Sequence, residues 1–188
     1  MPRYFYNMSQ RILSTYISYN LPEVANRLDM EYYDLAHRLC SNAEGYIDHL
    51  ASNTDVDTLA YNNYFNTFKD HLLRFVETRK VVFLPYIDEL YNKSATGHNC
   101  ATCSGRCEVQ HGIKLLELNT TLEQLRSIAA GLKTSLPTLA NTAYKGELKI
   151  LHNEVELLHN VINELLYLES EVLIPKIKEA QNSIHAYN

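Results

Sequence analysis

Apolar residues recur at steps of three and four positions along much of the chain, which is the spacing of one face of an α-helix. The pattern is clearest in the last quarter of the sequence, where the repeating positions are Leu151, Val155, Leu158, Ile162, Leu165, Glu169 and Val172. A seam of this kind is typical of helices that pack as in coiled coils and four-helix bundles. The sequence therefore predicts a long helix with one buried face in this region.

Three earlier stretches carry a similar rhythm. The second stretch has the positions Phe65, Phe68, Leu72, Phe75, Arg79, Val82 and Tyr86. The third stretch has the positions His111, Leu115, Leu118, Leu122, Leu125, Ala129 and Leu132. The first stretch, over residues 30–50, is weaker and has the positions Tyr32, Leu35 and Leu39. We therefore expect four main helices.

Short polar segments separate these stretches, at residues 53–57, 92–104 and 133–137. Connections of this length join neighbouring helices that run in opposite directions. We therefore expect an all-α fold, with an up-down-up-down four-helix bundle over residues 30–188 and a small helical extension over residues 1–29. Within the extension, Leu21-Pro22-Glu23 predicts a helix start, because proline is well tolerated in the first turn.

The composition favours an intracellular protein. The chain has 188 residues, of which 46% are hydrophobic, and a formal net charge of −5. No apolar run approaches the roughly 18 residues that a membrane span requires. The first residues lack the apolar core of a secretory signal. We therefore expect a cytoplasmic protein without membrane contact.

The acidic charge also argues against a nucleic-acid partner. Residues 21–39 partly fit a helix-turn-helix, with Val24, Ala25 and Leu28 at its apolar positions. However, Asp29 stands where the turn of that motif usually has glycine. We therefore expect no nucleic-acid binding, and the sequence leaves a homodimer open.

The second and fourth stretches resemble each other. Residues 79–87 (RKVVFLPYI) match residues 169–177 (ESEVLIPKI), and each segment is an apolar run that includes a proline near its end. This duplication, the number of helices and the two prolines together resemble the hemerythrin-like (HHE cation-binding) family. In that family's pattern, a ligand histidine and then a ligand glutamate four residues later precede such an ending. The resemblance covers about 130 residues and implies a four-helix bundle with a di-iron centre.

The ligand positions of the family are largely replaced in this chain. In the fourth stretch the glutamate position is Glu169, but the histidine position is Leu165. In the second stretch the histidine and glutamate positions are Phe75 and Arg79. The third-helix histidine is matched by His111, and the first-helix histidine could be matched by His37. A carboxylate-bridged di-iron centre needs five or more inward-facing ligands, so we expect no di-iron centre of the full family type.

Two interpretations of the remaining polar residues follow. Arg79 and Glu169 both lie on apolar seams, where an isolated charge is costly, so they are predicted to form a buried ion pair. The alternative is that each side chain reaches solvent near an end of the bundle. A rival hypothesis is a residual mononuclear metal site made of His37, His111 and Glu169, a ligand set that suits iron(II).

A cysteine-rich segment precedes the third stretch. Cys100 and Cys103 have the C-x2-C spacing of metal-chelating thiolates, and Cys107 and His111 follow at steps of four. Three cysteines with His111, or with His98 as the fourth ligand, predict a tetrahedral zinc site. Thiol redox chemistry and a set of unpaired thiols are the alternatives. Cys40, which stands apart, is most simply a buried apolar residue.

Three classes of function remain. The resemblance implies a non-enzymatic metal-binding or sensor protein, linked to iron, oxygen or nitric-oxide stress. The second class is a metal-free helical bundle that binds other molecules, with the Arg79–Glu169 pair in place of the metal. The third class is an enzyme, which the sequence disfavours without settling the question. No nucleophile–base set, phosphate-binding loop or paired catalytic carboxylates is visible.

Overall fold

The computed structural model describes residues 12–52, 58–97, 106–137 and 145–185, apart from the side chains of residues 106–108 and 185. Every regular element within these ranges is helical, and none of the described residues lies in a β-strand. The prediction of an all-α fold is therefore confirmed.

The described chain forms five helices. Helix α1 spans residues 12–18. Helix α2 begins with Leu21–Leu28, continues through a π-helical turn at Asp29–Tyr33 and ends with Asp34–Ala51. Helix α3 is built in the same way from Leu59–Thr78, a π-helical turn at Arg79–Phe83 and Leu84–Ala95.

The last two helices are α4, which spans Arg106–Ala129, and α5, which begins at Lys145. Helix α5 consists of Lys145–Leu168, a π-helical turn at Glu169–Leu173 and Ile174–His185. No helix in the described part of the chain combines the length and apolar character that crossing a membrane requires.

Helix α2 begins where the sequence predicts a helix start. The side chain of Asn20 accepts a hydrogen bond from the backbone of Glu23, and the carboxylate of Glu23 accepts one from the backbone of Asn20. This capping box satisfies two amide groups that a helix start leaves without partners. The helix then continues past residue 29 without the turn that a helix-turn-helix requires, and the predicted boundary between residues 29 and 30 lies inside it.

Two of the three π-helical turns precede a proline. Pro85 and Pro175 lack the amide proton that would bond the carbonyl group four residues earlier, and an α-helical turn would press their rings against that group. A π-helical turn widens the helix at this point. The amide of Leu84 bonds the carbonyl of Arg79, and that of Ile174 bonds the carbonyl of Glu169, in each case five residues back.

The wide turn also moves the buried face of α3 by one residue. The predicted seam passes through Val82, whereas the structure buries Phe83 and leaves Val82 partly exposed. This prediction is wrong because it assumed an uninterrupted α-helical period, and a π-helical turn contains more residues than an α-helical one. Beyond the turn, Tyr86 is buried as expected, and Ile87 and Leu90 extend the face.

The other seams are buried as predicted. All seven positions of the α5 seam are in the core, including Glu169. The α4 seam is buried except at Leu115, which is partly exposed. In α2, Tyr32 and Leu39 are buried, Leu35 is partly exposed, and Cys40 lies beside Leu39 in the core. Burial raises the pKa of the Cys40 thiol to about 12, so this cysteine is the apolar residue that the sequence predicts.

Side-chain contacts near the two ends of each helix pair show whether the two helices run in the same or in opposite directions. Tyr61 near the start of α3 bonds the carbonyl of Leu132 beyond the end of α4, whereas Tyr86 farther along α3 meets His111 near the start of α4. Helices α3 and α4 therefore run in opposite directions. Helices α3 and α5 run in the same direction, because Arg79 meets Glu169 and Ser94 meets Ser183.

Helix α2 runs opposite to α3. Its residue Asp34 pairs with Lys80, and its later residue Glu44 pairs with the earlier Lys69 of α3. Helix α2 also packs along α5. The four long helices therefore enclose one core, to which each contributes its apolar seam.

Replacing either of two glycines by alanine should change the stability in opposite directions. Gly112 lies in α4, and Gly131 lies in the turn that follows it. At Gly131, a methyl group would overlap with the ring of Tyr64, whose hydroxyl bonds the carbonyl of Ile128. We expect Gly131→Ala to lower the free energy of unfolding by about 1–3 kcal/mol, because the ring must move. Chemical denaturation of the purified protein measures this change.

Gly112→Ala is the matched control, because a methyl group there meets no atom within 4 Å. It should stabilise the protein by up to about 1 kcal/mol, the usual gain when alanine replaces glycine inside a helix. Equal effects of the two substitutions would contradict the packing of Tyr64 over Gly131.

Candidate functional site

Arg79 and Glu169 meet in the middle of the core. The Arg79 Nη2 atom donates to Glu169 Oε2 at 2.8 Å, and Nε lies 3.0 Å from Oε1 and 3.1 Å from Oε2. The side chains of Arg79 and Glu169 are only 1% and 0% exposed. This two-pronged geometry uses the planar guanidinium as a fork for the carboxylate. The pair that the seams predict is therefore present, and neither side chain reaches solvent.

The remaining donors of Arg79 are directed at α4. Its Nη1 atom donates to the hydroxyl of Thr121 at 2.8 Å, and its Nη2 atom also donates to the carbonyl of Leu118 at 3.1 Å. The guanidinium carbon lies 4.1 Å from the ring centre of Phe75 and 5.0 Å from that of Phe83. The cation is thus bonded around its edge and covered by aromatic rings on its faces, which favours a buried charge.

Tyr33 of α2 completes the partners of the carboxylate. Its hydroxyl donates to Glu169 Oε1 at 2.8 Å. Desolvation by burial, followed by the negative charge of Glu169, raises the pKa of Tyr33 well above its usual value. The phenol therefore stays protonated and acts as a donor. Through Tyr33, Arg79, Thr121 and Glu169, one polar network joins all four long helices.

The π-helical turns position this network. Arg79 and Glu169 are the first residues of the turns in α3 and α5, and Tyr33 is the last residue of the turn in α2. Lys80, the neighbour of Arg79, forms ion pairs at 2.8 Å with Asp29 and 2.7 Å with Asp34 of α2. Two consecutive cations of α3 therefore bind all three of the other long helices at this height. Arg79 contacts α4 and α5 inside the core, and Lys80 contacts α2 at the surface.

A second polar cluster lies farther along α3. The hydroxyl of Tyr86 lies 2.9 Å from Nδ1 of His111 and accepts a hydrogen bond from Gln181 at 2.8 Å. Gln181 also donates to the carbonyl of His111 at 3.2 Å. All three side chains are buried. This cluster joins α3, α4 and α5 and fixes the ring of His111.

The structure does not assemble the hypothetical mononuclear metal site. His37 is exposed on α2, and the carboxylate of Glu169 is held by Arg79 and Tyr33. Among the described residues, no group of three or more His, Cys, Asp or Glu side chains is placed to hold a metal ion. The physical reason is that His37 falls on the solvent face of its helix, one position beyond the buried Ala36.

The positions that the family resemblance assigns to iron ligands do not suit a divalent cation here. Phe75 and Leu165 carry no donor atom, and Arg79 places a positive charge beside Glu169. Both oxygens of Glu169 already accept hydrogen bonds. The polar network therefore engages the one carboxylate among these positions that could bind a metal ion.

Most of the predicted cysteine site falls outside the described residues. His98, Cys100 and Cys103 lie in the segment 98–105, and Cys107 belongs to the first turn of α4 but its side chain is not described. Only His111 of this set has a described side chain, and it lies one helical turn after Cys107. The zinc site stays a prediction.

Sequence reasoning missed four partners in these clusters: Tyr33, Thr121, Tyr86 as a polar group, and Gln181. A signal for Gln181 was available, because the α5 seam continues beyond Pro175 through Ile177, Gln181 and Ile184. A polar residue on a buried seam needs a buried partner. Thr121 had no comparable signal, since it lies beside the α4 seam rather than on it.

Comparisons with known proteins do not identify a family. No family model matches the chain, and neither the curated proteins nor the solved structures give a significant match. The hemerythrin-like assignment therefore stays a prediction from the residues quoted above.

Removal of the Tyr33 hydroxyl tests the network. Tyr33→Phe should lower the free energy of unfolding by about 1–3 kcal/mol, because a buried carboxylate oxygen loses a donor that water cannot replace. The ring of Tyr33, which packs at 6.3 Å against Phe75, is retained. Denaturation curves of the two proteins measure the difference.

Tyr91→Phe serves as the control, because Tyr91 is exposed on the same bundle. It should change the stability by less than about 0.5 kcal/mol. If both substitutions have the same small effect, the bond between Tyr33 and Glu169 does not contribute to stability.

Proposed function

We propose that the four long helices form an up-down-up-down bundle of the hemerythrin-like type, in which the polar network replaces the di-iron centre. The opposite directions of α2 and α3, and of α3 and α4, support this arrangement. The match between residues 79–87 and 169–177 supports a duplicated origin, because both segments begin a π-helical turn and continue into a proline. Arg79, which replaces a family glutamate, and Glu169, which keeps one, are the first residues of these two turns.

The function that we propose is non-enzymatic: a metal-free helical bundle that binds other molecules through its surface. The observation that carries this proposal is the saturation of Glu169, whose two oxygens accept from Arg79 and Tyr33. A carboxylate in this state has no lone pair directed at a vacant ligand position, and the adjacent guanidinium repels a metal cation. The core therefore has a structural role, and function is assigned to the surface.

One surface feature supports a binding role. Val109, Ile113 and Leu116 are large apolar side chains that are exposed on α4. Their spacing of four and three places them on one face of the helix, opposite its buried seam. Contiguous exposed apolar residues are typical of surfaces that contact other molecules.

A second candidate function is metal binding at the cysteine-rich segment, with Cys100, Cys103, Cys107 and either His111 or His98 as zinc ligands. The observation that favours it is the position of His111, whose ring is fixed by Tyr86. Metal-binding histidines are usually oriented in this way by a hydrogen bond from one ring nitrogen to a neighbouring group. This candidate is compatible with a metal-free core, because the two sites use different residues.

Elemental analysis of protein made in medium rich in iron and zinc tests both proposals. We expect no iron above background, because Arg79 and Tyr33 occupy the donors of Glu169. We expect a stoichiometric amount of zinc, held by three thiolates and one histidine. Cys103→Ser should lose this zinc, whereas Cys40→Ala should retain it, because Cys40 is buried in the core.

The outcomes separate the two proposals. Stoichiometric iron with the visible absorption of an oxo-bridged pair would overturn the metal-free core. Absence of zinc, or zinc that persists in Cys103→Ser, would overturn the cysteine site and leave the proposal about the core standing.

A further inference from the structure

A cavity of about 400 Å³ lies between α1 and the first half of α2. Its volume is in the range of sites that hold small molecules or single side chains. It shares no residue with the Arg79 network, although its lining residue Tyr32 directly precedes Tyr33 of that network. The lining residues are Ile12, Thr15, Tyr16, Tyr19, Arg27, Glu31 and Tyr32.

Three tyrosine rings form the walls of this cavity. The ring centres of Tyr16 and Tyr19 are 6.0 Å apart, with an angle of 76° between the ring planes. The centres of Tyr16 and Tyr32 are 6.4 Å apart, with an angle of 69°. The rings are therefore in edge-to-face rather than stacked arrangements, and they line the cavity from different sides. The faces of such rings carry partial negative charge and attract organic cations.

Glu31 adds a full negative charge with two oxygens directed at different partners. Its Oε2 atom accepts a hydrogen bond from the hydroxyl of Tyr16 at 2.8 Å, and its Oε1 atom accepts one from Arg27 Nη1 at 2.8 Å. The bond from Tyr16 fixes the carboxylate at the edge of the aromatic walls. A carboxylate beside aromatic faces is the combination that binds a guanidinium or alkylammonium group.

The chain's own Arg27 already uses this combination. Its guanidinium carbon lies 4.3 Å from the ring centre of Tyr19, while one of its nitrogens pairs with Glu31. The side chains of Arg27 and Glu31 are each 45% exposed. Exposed pairs of this kind contribute little to stability, so Arg27 can leave its position at small cost. A second guanidinium would then find the same aromatic face and the same carboxylate oxygen.

The chemistry of the cavity walls favours a cation over an anion. Arg27 and Glu31 neutralise each other. Desolvation by burial and then the negative charge of Glu164 raise the pKa of Tyr32, while Lys176 of α5 donates to the carbonyl of Ile17 in α1 at 3.0 Å. These opposite charges balance, so the preference for a cation comes from the faces of the tyrosine rings and from the Glu31 carboxylate. A planar guanidinium suits the site better than an ammonium group, because it stacks on rings, forks onto carboxylates and is more weakly hydrated.

We propose that this cavity binds the guanidinium group of an arginine side chain from a partner protein, with Arg27 as an internal occupant that the partner displaces. This inference rests on the proposed binding function and names the chemistry of its partner. It is independent of the polar network in the core.

A titration with N-acetyl-arginine methylamide tests the proposal on the full chain with isotope-labelled tyrosine, followed by nuclear magnetic resonance. We expect saturable shifts of the ring signals of Tyr16, Tyr19 and Tyr32. Arg27→Ala should bind the probe between about three and about ten times more tightly, because the internal competitor is gone. Glu31→Gln should lose the saturable response.

Arg38→Ala is the matched control, since Arg38 is an exposed arginine of the same helix outside the cavity. It should bind the probe like the unaltered chain, and N-acetyl-lysine methylamide should bind more weakly than the arginine probe. The proposal is overturned if neither the unaltered chain nor Arg27→Ala shows saturable shifts, or if Glu31→Gln binds as before. Neither of these results would alter the metal content, which tests the core separately.

Discussion

The carboxylate of Glu169 is the constraint around which the core is arranged. A charge that is 0% exposed needs both a counter-ion and hydrogen-bond donors for its oxygens. Arg79 supplies the counter-ion from α3, and Tyr33 supplies the additional donor from α2. Arg79 itself then needs acceptors, which α4 provides through Thr121 and Leu118. Each of these bonds involves another helix. A single buried charge therefore fixes the positions of all four long helices along the axis of the bundle.

A buried ion pair of this kind contributes specificity more clearly than net stability. Its attraction has to offset the desolvation of both ions, and apolar substitutes are often as stable. Its consequence here is geometric, because a shift of α5 along α3 would separate Glu169 from Arg79 and leave two unpaired charges in the core. The three π-helical turns belong to the same arrangement. The turns in α3 and α5 begin at Arg79 and Glu169, and the turn in α2 ends at Tyr33.

The fold and part of the site were predictable from the sequence. The steps of three and four located the buried faces, and the charges at Arg79 and Glu169 stood out because they interrupt apolar seams. Val82 was assigned to the core instead of Phe83, because a π-helical turn changes the phase of the seam and leaves little trace in composition. Tyr33 and Thr121 could not be assigned, since their roles depend on which helix faces which. The cavity beside Arg27 likewise depends on how α1 packs against α2.

A double-mutant cycle on Arg79 and Glu169 tests the central claim most directly. Arg79→Met and Glu169→Leu should each lower the free energy of unfolding by about 3–5 kcal/mol, because each leaves one buried charge unpaired. The double variant should be more stable than the sum of the two effects predicts, by at least about 2 kcal/mol. Effects that add to within about 0.5 kcal/mol would contradict a coupled pair and, with it, the account of the core.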